Sequence, residues 1–216
     1  PRVGKLRELK FATEKYFKKE VSPQYLEDIA KEIRKEQWLI QKNSGLDFIP
    51  SNDFSFYDNM LDTAVLLNVI PKRYSRLNLS LIDTYFAMAR GYQGGAGDVK
   101  ALGMKKWFNT NYHYIVPEID DDTDIKLAGT KPLDEFLQAK SLGIQTKIVV
   151  IGAFTFLKSA KFTGKKKASD FADAMIEAYS RLIAEAENKG VYWIQFDEPC
   201  LVCDLTAEDI ALFEKL

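Results

Sequence analysis

The sequence predicts an α/β fold built on a parallel sheet, and three observations point to it. Short apolar segments alternate with longer amphipathic ones of helical period. The run "TKIVVIG" is continuously apolar, as a strand buried on both faces must be. Polar residues gather just past the apolar segments, where barrels and open α/β sheets both place their sites. The chain has 216 residues, 46% of them hydrophobic and 28% charged, which suits a water-exposed globular protein with a full core.

The elements follow in order. Residues 1–4 form a short strand or turn, and residues 6–18 a first helix. A second helix over residues 23–44 carries Leu26, Ile29, Ile33, Trp38 and Ile40 on one stripe and stops at Gly45. "LDFIPSND" is a strand that presents Ser51, Asn52 and Asp53 at its end. Helical segments over residues 57–67 and 81–90 come next, then "GYQGGAGDVKALG", whose glycines predict a mobile loop. "NYHYIVPE" reads as a third strand, with His113 and Ile115 on one face and Tyr112, Tyr114 and Val116 on the other. "KPLDEFLQAKSLG" is a helix stopped by Gly143, and "TKIVVIG" a fourth strand. A long helix opens on Ser169 as its cap and closes at Gly190. "VYWIQFDEP" is the fifth strand, and a last helix is capped by Thr206, with Glu208 and Asp209 in its first turn. Strands separated by helices imply right-handed crossovers and about five strand-helix units.

Composition excludes several classes. The 30 Lys and Arg residues nearly balance 31 Asp and Glu, so no global field attracts nucleic acid or an anionic membrane. No run of eighteen apolar residues exists, and the N-terminus lacks the apolar core of a signal peptide, which together predict a cytoplasmic protein. The first residue is Pro rather than Met, which suggests a trimmed chain. Two cysteines, Cys200 and Cys203, build no disulfide framework, and with a single distant histidine they make no closed zinc site. "CLVC" is read as packing.

Candidate chemistry sits at the strand ends: Asn52, Asp53 and Asp58, then Glu118, Thr155, Asp197 and Glu198. The Asp-Glu-Pro after the fifth strand is either a functional pair of acids or a helix cap. "KWFNTNYHYIVPE" gathers the only histidine, His113, with Lys106, four aromatics and Asn109 and Asn111. A lone histidine on a strand is commonly a hydrogen-bonded structural residue, and the asparagines suit turns. In "GKLRELK", Lys5, Arg7 and Lys10 crowd the first turn of a helix, where the dipole disfavours cations. Either solvent screens them or they form an anion site with the free N–H groups of the helix start.

Four segments, "PRVGKLRELKFATEKYF", "NDFSFYDNMLD", "MKKWFNTNYHYIVPE" and "WIQFDEPCLVCDL", together resemble the N-terminal domain of cobalamin-independent methionine synthase, the methyltetrahydropteroyltriglutamate-homocysteine methyltransferase. The likeness runs in order over essentially the whole chain. It implies a (β/α) TIM-barrel type of domain, here residues 1–216 and incomplete, since a closed barrel needs about eight strands. It also implies methyl transfer from a folate with a polyglutamate tail to homocysteine. Zinc and homocysteine would then sit in a C-terminal barrel absent from this chain, which itself holds no cofactor, no metal ligand and no catalytic residue. By matching motif, the folate-tail contacts would be Arg7, Glu8, Leu9, Lys10 and Lys106. The expected partners are methyltetrahydropteroyltriglutamate and the C-terminal catalytic domain, with no nucleic acid and no membrane. This sequence has "MKKW" for the family's "MTKW", adding Lys105, and "GAFT" for "GPxT" at residues 152–155. The chain alone is expected to be inactive. An alternative is a non-catalytic α/β module that self-associates or docks on another chain.

Overall fold

The computed structural model describes residues 3–216, so Pro1 and Arg2 of the expected opening strand or turn lie outside the described residues. Val3 is in a turn and Gly4 has φ +79°. Helices α1 (Glu8–Phe17) and α2 (Pro23–Asn43) pack on each other. Ser22 caps α2 by accepting from Tyr25 N–H at 3.2 Å, with Pro23 at the first helical position. Leu26, Ile33 and Trp38 of the stripe are buried, whereas Ile40 is 48% exposed. The helix is tied to β1 (Ile49–Ser51) by the Trp38 indole N–H, which donates to Pro50 O at 2.9 Å.

Helices α3 (Asn59–Leu66), α4 (Lys72–Ser75) and α5 (Leu81–Arg90) follow, with Asp58 capping α3 and Ser80 capping α5. The expected mobile loop is a hairpin. β2 (Tyr92–Gly94) and β3 (Gly97–Val99) pair antiparallel with Gly94 opposite Gly97, so the glycines serve a tight two-residue turn.

A second hairpin replaces the expected third parallel strand. β4 (Met104–Lys106) pairs antiparallel with β5 (His113–Ile115), setting Lys106 opposite His113. The alternation of β5 was legible, with His113 and Ile115 on one face, but not its partner. A nearby strand closes onto it over a short loop at small entropic cost.

Next come β6 (Glu118–Ile119), α6 (Lys131–Ser141), β7 (Thr146–Ile151), α7 (Ala153–Ser159) and β8 (Lys161–Phe162). The long helix does not begin at Ser169. A 3-10 turn, Ala168–Phe171, precedes α8 (Ala172–Asn188), because Asp170 rather than Ser169 closes the turn by accepting from Lys167 N–H at 2.8 Å. β9 (Ile194–Asp197), a second 3-10 turn (Pro199–Val202) and α9 (Ala207–Lys215) finish the chain. Thr206 and Asp209 form the expected capping box of α9.

The main sheet is parallel and ordered β1-β7-β9, with Ile49 opposite Thr146 and Ile148 opposite Ile194. It therefore has three strands among the described residues rather than five. A separate parallel pair joins β6 to β8, and no barrel closes among the described residues. One hydrophobic cluster centres on Phe136, Ile148, Phe154 and Phe156 beneath α8, and a second on Leu26, Phe54, Leu61, Met88 and Ile115 beneath α1, α2 and α5. β9 is covered poorly: Tyr192, Trp193 and Phe196 are exposed on and beside it.

Candidate functional site

The first turn of α1 is built by its glutamate. Glu8 accepts from Leu6 N–H at 3.0 Å and lies where a Gly4 side chain would be, 2.0 Å from an added Cβ. Leu9 is buried in the second cluster. Glu8 and Leu9 thus hold the turn, while Arg7 and Lys10 face solvent. Lys10 pairs loosely with Glu14 at 3.6 Å, whereas the Arg7 side chain has no partner among the described residues. Arg7 also sits in the left-handed region, φ 65° and ψ 34°, where a residue with a Cβ is strained by about 1–2 kcal/mol. Lys5 instead pairs with Glu36.

The β4–β5 hairpin carries Lys105, Lys106 and His113, all exposed, with side chains that have no hydrogen-bond partner among the described residues. His113 is therefore not the hydrogen-bonded structural residue that a lone histidine commonly is. Thr110, not either asparagine, shapes the turn, its hydroxyl donating to Trp107 O at 2.6 Å. Trp107 packs edge-on against Phe108 and Tyr114, at 5.0 and 5.4 Å between ring centres. Phe108 has φ 53°, a real outlier for a bulky residue. Leu9 of α1 and Ile115 of β5 belong to the same cluster, so the two cationic segments border one core.

Asp58 fastens that hairpin. Its buried carboxylate accepts from Leu61 N–H at 2.8 Å and from Ile115 N–H at 2.9 Å, joining α3 to β5. Burial pushes its pKa up to about 6 in spite of these bonds. A folded pKa above the unfolded one means stability that is full below the unfolded pKa of about 3.9 and is lost as pH rises through 6. Hence the stability of wild type relative to Asp58→Asn should fall, by on the order of 2 kcal/mol, between pH 4 and pH 7. Chemical denaturation at stepped pH measures this; a flat difference would contradict it.

Four of the other strand-end residues have structural partners, whereas Asp53 is exposed. Glu118 pairs with Arg73 at 2.6 Å and with Lys161 at 3.8 Å. Asp197 accepts from the Gln195 amide at 2.7 Å. Glu198 is a helix cap, accepting from Phe154 N–H at 3.0 Å and Thr155 N–H at 2.7 Å at the start of α7. An added Cβ on Gly152 would lie 2.1 Å from Glu198 Oε1. Thr155 is fully buried, its hydroxyl accepting from Cys200 N–H at 3.2 Å. Cys200 packs in the first cluster, and Cys203 is exposed.

A polar network that sequence reasoning missed lies between α2 and α6. Lys131 Nζ donates to Asn52 Oδ1 at 2.8 Å and Phe54 O at 2.7 Å, and lies 3.1 Å from both Asp62 Oδ2 and Glu135 Oε1. Glu135 Oε2 accepts from Asn52 N–H at 3.0 Å. Arg34 approaches Glu135 Oε1 at 3.7 Å and stacks over Phe54 at 5.1 Å. The available signal was Lys131 and Glu135 four apart on one helix face, with Arg34 inside the apolar stripe of α2.

The family described as cobalamin-independent synthase, N-terminal domain, matches residues 1–216. The chain is 54% identical over 216 residues to the 5-methyltetrahydropteroyltriglutamate–homocysteine methyltransferases of Streptococcus pneumoniae (serotype 19F, strain G54) and Streptococcus suis (strain 05ZYH33), covering 100% of this chain and 29% of each relative. It is also 54% identical over 215 residues to the enzyme of that name from Campylobacter jejuni subsp. doylei, covering 28% of it. The chain thus spans under a third of the length of these curated relatives.

Proposed function

Since the chain belongs to the cobalamin-independent synthase N-terminal domain family, we propose that it is the part of a methyltransferase that grips the polyglutamate tail of methyltetrahydropteroyltriglutamate while a C-terminal domain moves the methyl group to homocysteine. In this reading residues 1–216 are an incomplete TIM-type barrel of a cytoplasmic enzyme. Among the described residues no helix is long and apolar enough to cross a membrane.

The observation that carries the proposal is the state of the Arg7 and Lys106 side chains: exposed, without partners among the described residues, and set in or beside strained backbone at Arg7 and Phe108. Strain of this kind persists where surrounding structure holds a residue for a purpose. Arg7 can take a tail carboxylate through two parallel hydrogen bonds, while Lys10 and Lys106 act as point charges. Glu8 and Leu9 contribute by fixing the turn that presents Arg7.

When bound in the enzyme, zinc supplies Lewis-acid activation of a thiol. The donors of this chain do not suit it, because Cys200 is buried, Cys203 is exposed, and the described residues hold no group of three or more His, Cys, Asp or Glu side chains placed to hold a metal ion. Thiol activation is accordingly assigned to the C-terminal domain.

A triglutamate folate should bind more tightly than a monoglutamate. Exposed pairs contribute roughly 0 to 1 kcal/mol each, so three cations give a preference of about tenfold at low salt that shrinks as salt rises. Arg7→Ala and Lys106→Ala should each reduce it. Calorimetry with both ligands at two salt concentrations, on this chain and on its full-length parent, makes the test. Equal affinity for both tails in the parent would remove these residues from the site.

A further inference from the structure

The one histidine of the chain stands across from the lysine assigned to the folate tail. The register of the β4–β5 hairpin sets His113 directly opposite Lys106, and the side chains of such a pair leave the same face with Cβ atoms about 5 Å apart. Both residues are exposed. The imidazole makes no hydrogen bond, ion pair or ring contact among the described residues, so packing does not account for its place.

The two faces of this hairpin belong to different cores. Tyr114, opposite Lys105, is buried in the first cluster. Ile115 shares the other face with His113 and Lys106 and is buried in the second cluster, to which Leu9 of α1 also belongs. His113 and Lys106 therefore lie on the face that meets the core under α1, whose first turn presents Arg7 and Lys10, whereas Lys105 lies on the opposite face. Asp58 secures that face by accepting from Ile115 N–H at 2.9 Å.

Imidazole is the side chain whose charge changes between about pH 5 and 8, and in the charged form both of its ring nitrogens donate. An imidazolium directly opposite an ammonium is repelled by it, but a carboxylate taken between the two is held by both. A chain of linked glutamates offers several carboxylates, which are ionised above about pH 5. We propose that His113 is a further, proton-dependent cation of the folate-tail site, taking a tail carboxylate together with Lys106, so that tail binding takes up a proton and the preference for a long tail rises as pH falls. The inference rests on the folate-tail reading and adds to it a residue and a pH dependence.

The other charged or titratable groups around His113 are few. β4 supplies Lys105 and Lys106, and the neighbours on β5 are Tyr112 and the buried Tyr114. From α3 and its cap come Asp62, which is paired with Lys131, and Asp58, whose carboxyl is pushed up to about 6 by burial and so titrates in the same window. Any test must separate His113 from Asp58.

The measured quantity is the ratio of monoglutamate to triglutamate dissociation constants in the full-length parent at pH 6 and pH 8, in which effects of pH on the rest of the folate cancel. This ratio should be about threefold larger at pH 6, the scale of one exposed charged contact. Calorimetry in two buffers of different ionisation enthalpy should show more protons taken up with the triglutamate. His113→Gln, a change at an exposed side chain, should leave thermal unfolding unchanged and make the ratio equal at the two pH values. A triglutamate preference that is the same at both pH values in the wild type would leave the tail site standing and overturn the role of His113. A pH dependence that persists in His113→Gln would overturn it too and pass the effect to Asp58. A ratio of one at both pH values would overturn the folate-tail reading itself, and this inference with it.

Discussion

Replacing Glu135 by alanine is expected to cost about 3 kcal/mol of stability, the low end of the range for breaking a buried ion pair. The substitution strands Arg34, which is 8% exposed and has Glu135 as its nearest anion. It also removes the acceptor of Asn52 N–H and one of the two carboxylates around Lys131. Lys131 keeps Asp62 and is about a third exposed, so water recovers part of the loss on that side. For a domain of this size the melting temperature should drop by on the order of 10 °C. Glu135→Gln, which keeps the shape and an acceptor for Asn52, should lose less than half as much. Urea denaturation of the three proteins decides the matter, and a loss under about 1 kcal/mol for alanine would mean that Arg34 is hydrated rather than stranded.

Glu198→Ala should destabilise by about 2–3 kcal/mol, because it orphans two buried N–H groups at once. Phe154 and Thr155 are each fully buried and donate to the two oxygens of this carboxylate. Gly152→Ala should cost a similar amount through the same contact, since its Cβ would lie 2.1 Å from Glu198 Oε1 and push the cap aside. The two changes then remove one interaction between them. The double variant should lose clearly less than the two single losses added, and full additivity in thermal unfolding would show that the contact is slack.

Elements defined by local chemistry were legible in the sequence. The helix start at Pro23 and the Thr206 to Asp209 box are both found where the sequence places them. The run of β7 was legible as a strand, though Lys147 and Val149 are half-buried, so it is not covered on both faces as its apolar run suggested. Pairing is a non-local property, and there the reading went astray. Nothing within "NYHYIVPE" says that its neighbour is "MKK" rather than "TKI", or that Asp58, 57 residues earlier, receives Ile115 N–H. The glycines of "GYQGGAGDV" fit a loose loop and a tight hairpin alike, and only the register of Tyr92 with Val99 separates the two. In the α1 motif all four residues were named together, yet Glu8 and Leu9 prove to be the frame, while Arg7 and Lys10 are the groups it presents. The Arg34, Lys131 and Glu135 network was hidden for the same reason as the hairpin: its two helices meet only in the folded chain.

The backbone of Arg7 has a consequence for how this sequence would drift. A glycine there would relieve the φ 65° conformation, and asparagine would tolerate it better than arginine does. Under selection for heat resistance alone, this codon should be among the early ones to change, and the fold should gain by the exchange. Under selection for growth that depends on the proposed methyl transfer, the arginine should be kept against that pull. Deep mutational scanning under the two regimes would rank substitutions at position 7 in opposite orders, whereas at Leu9, whose side chain is buried, both regimes should reject the same replacements.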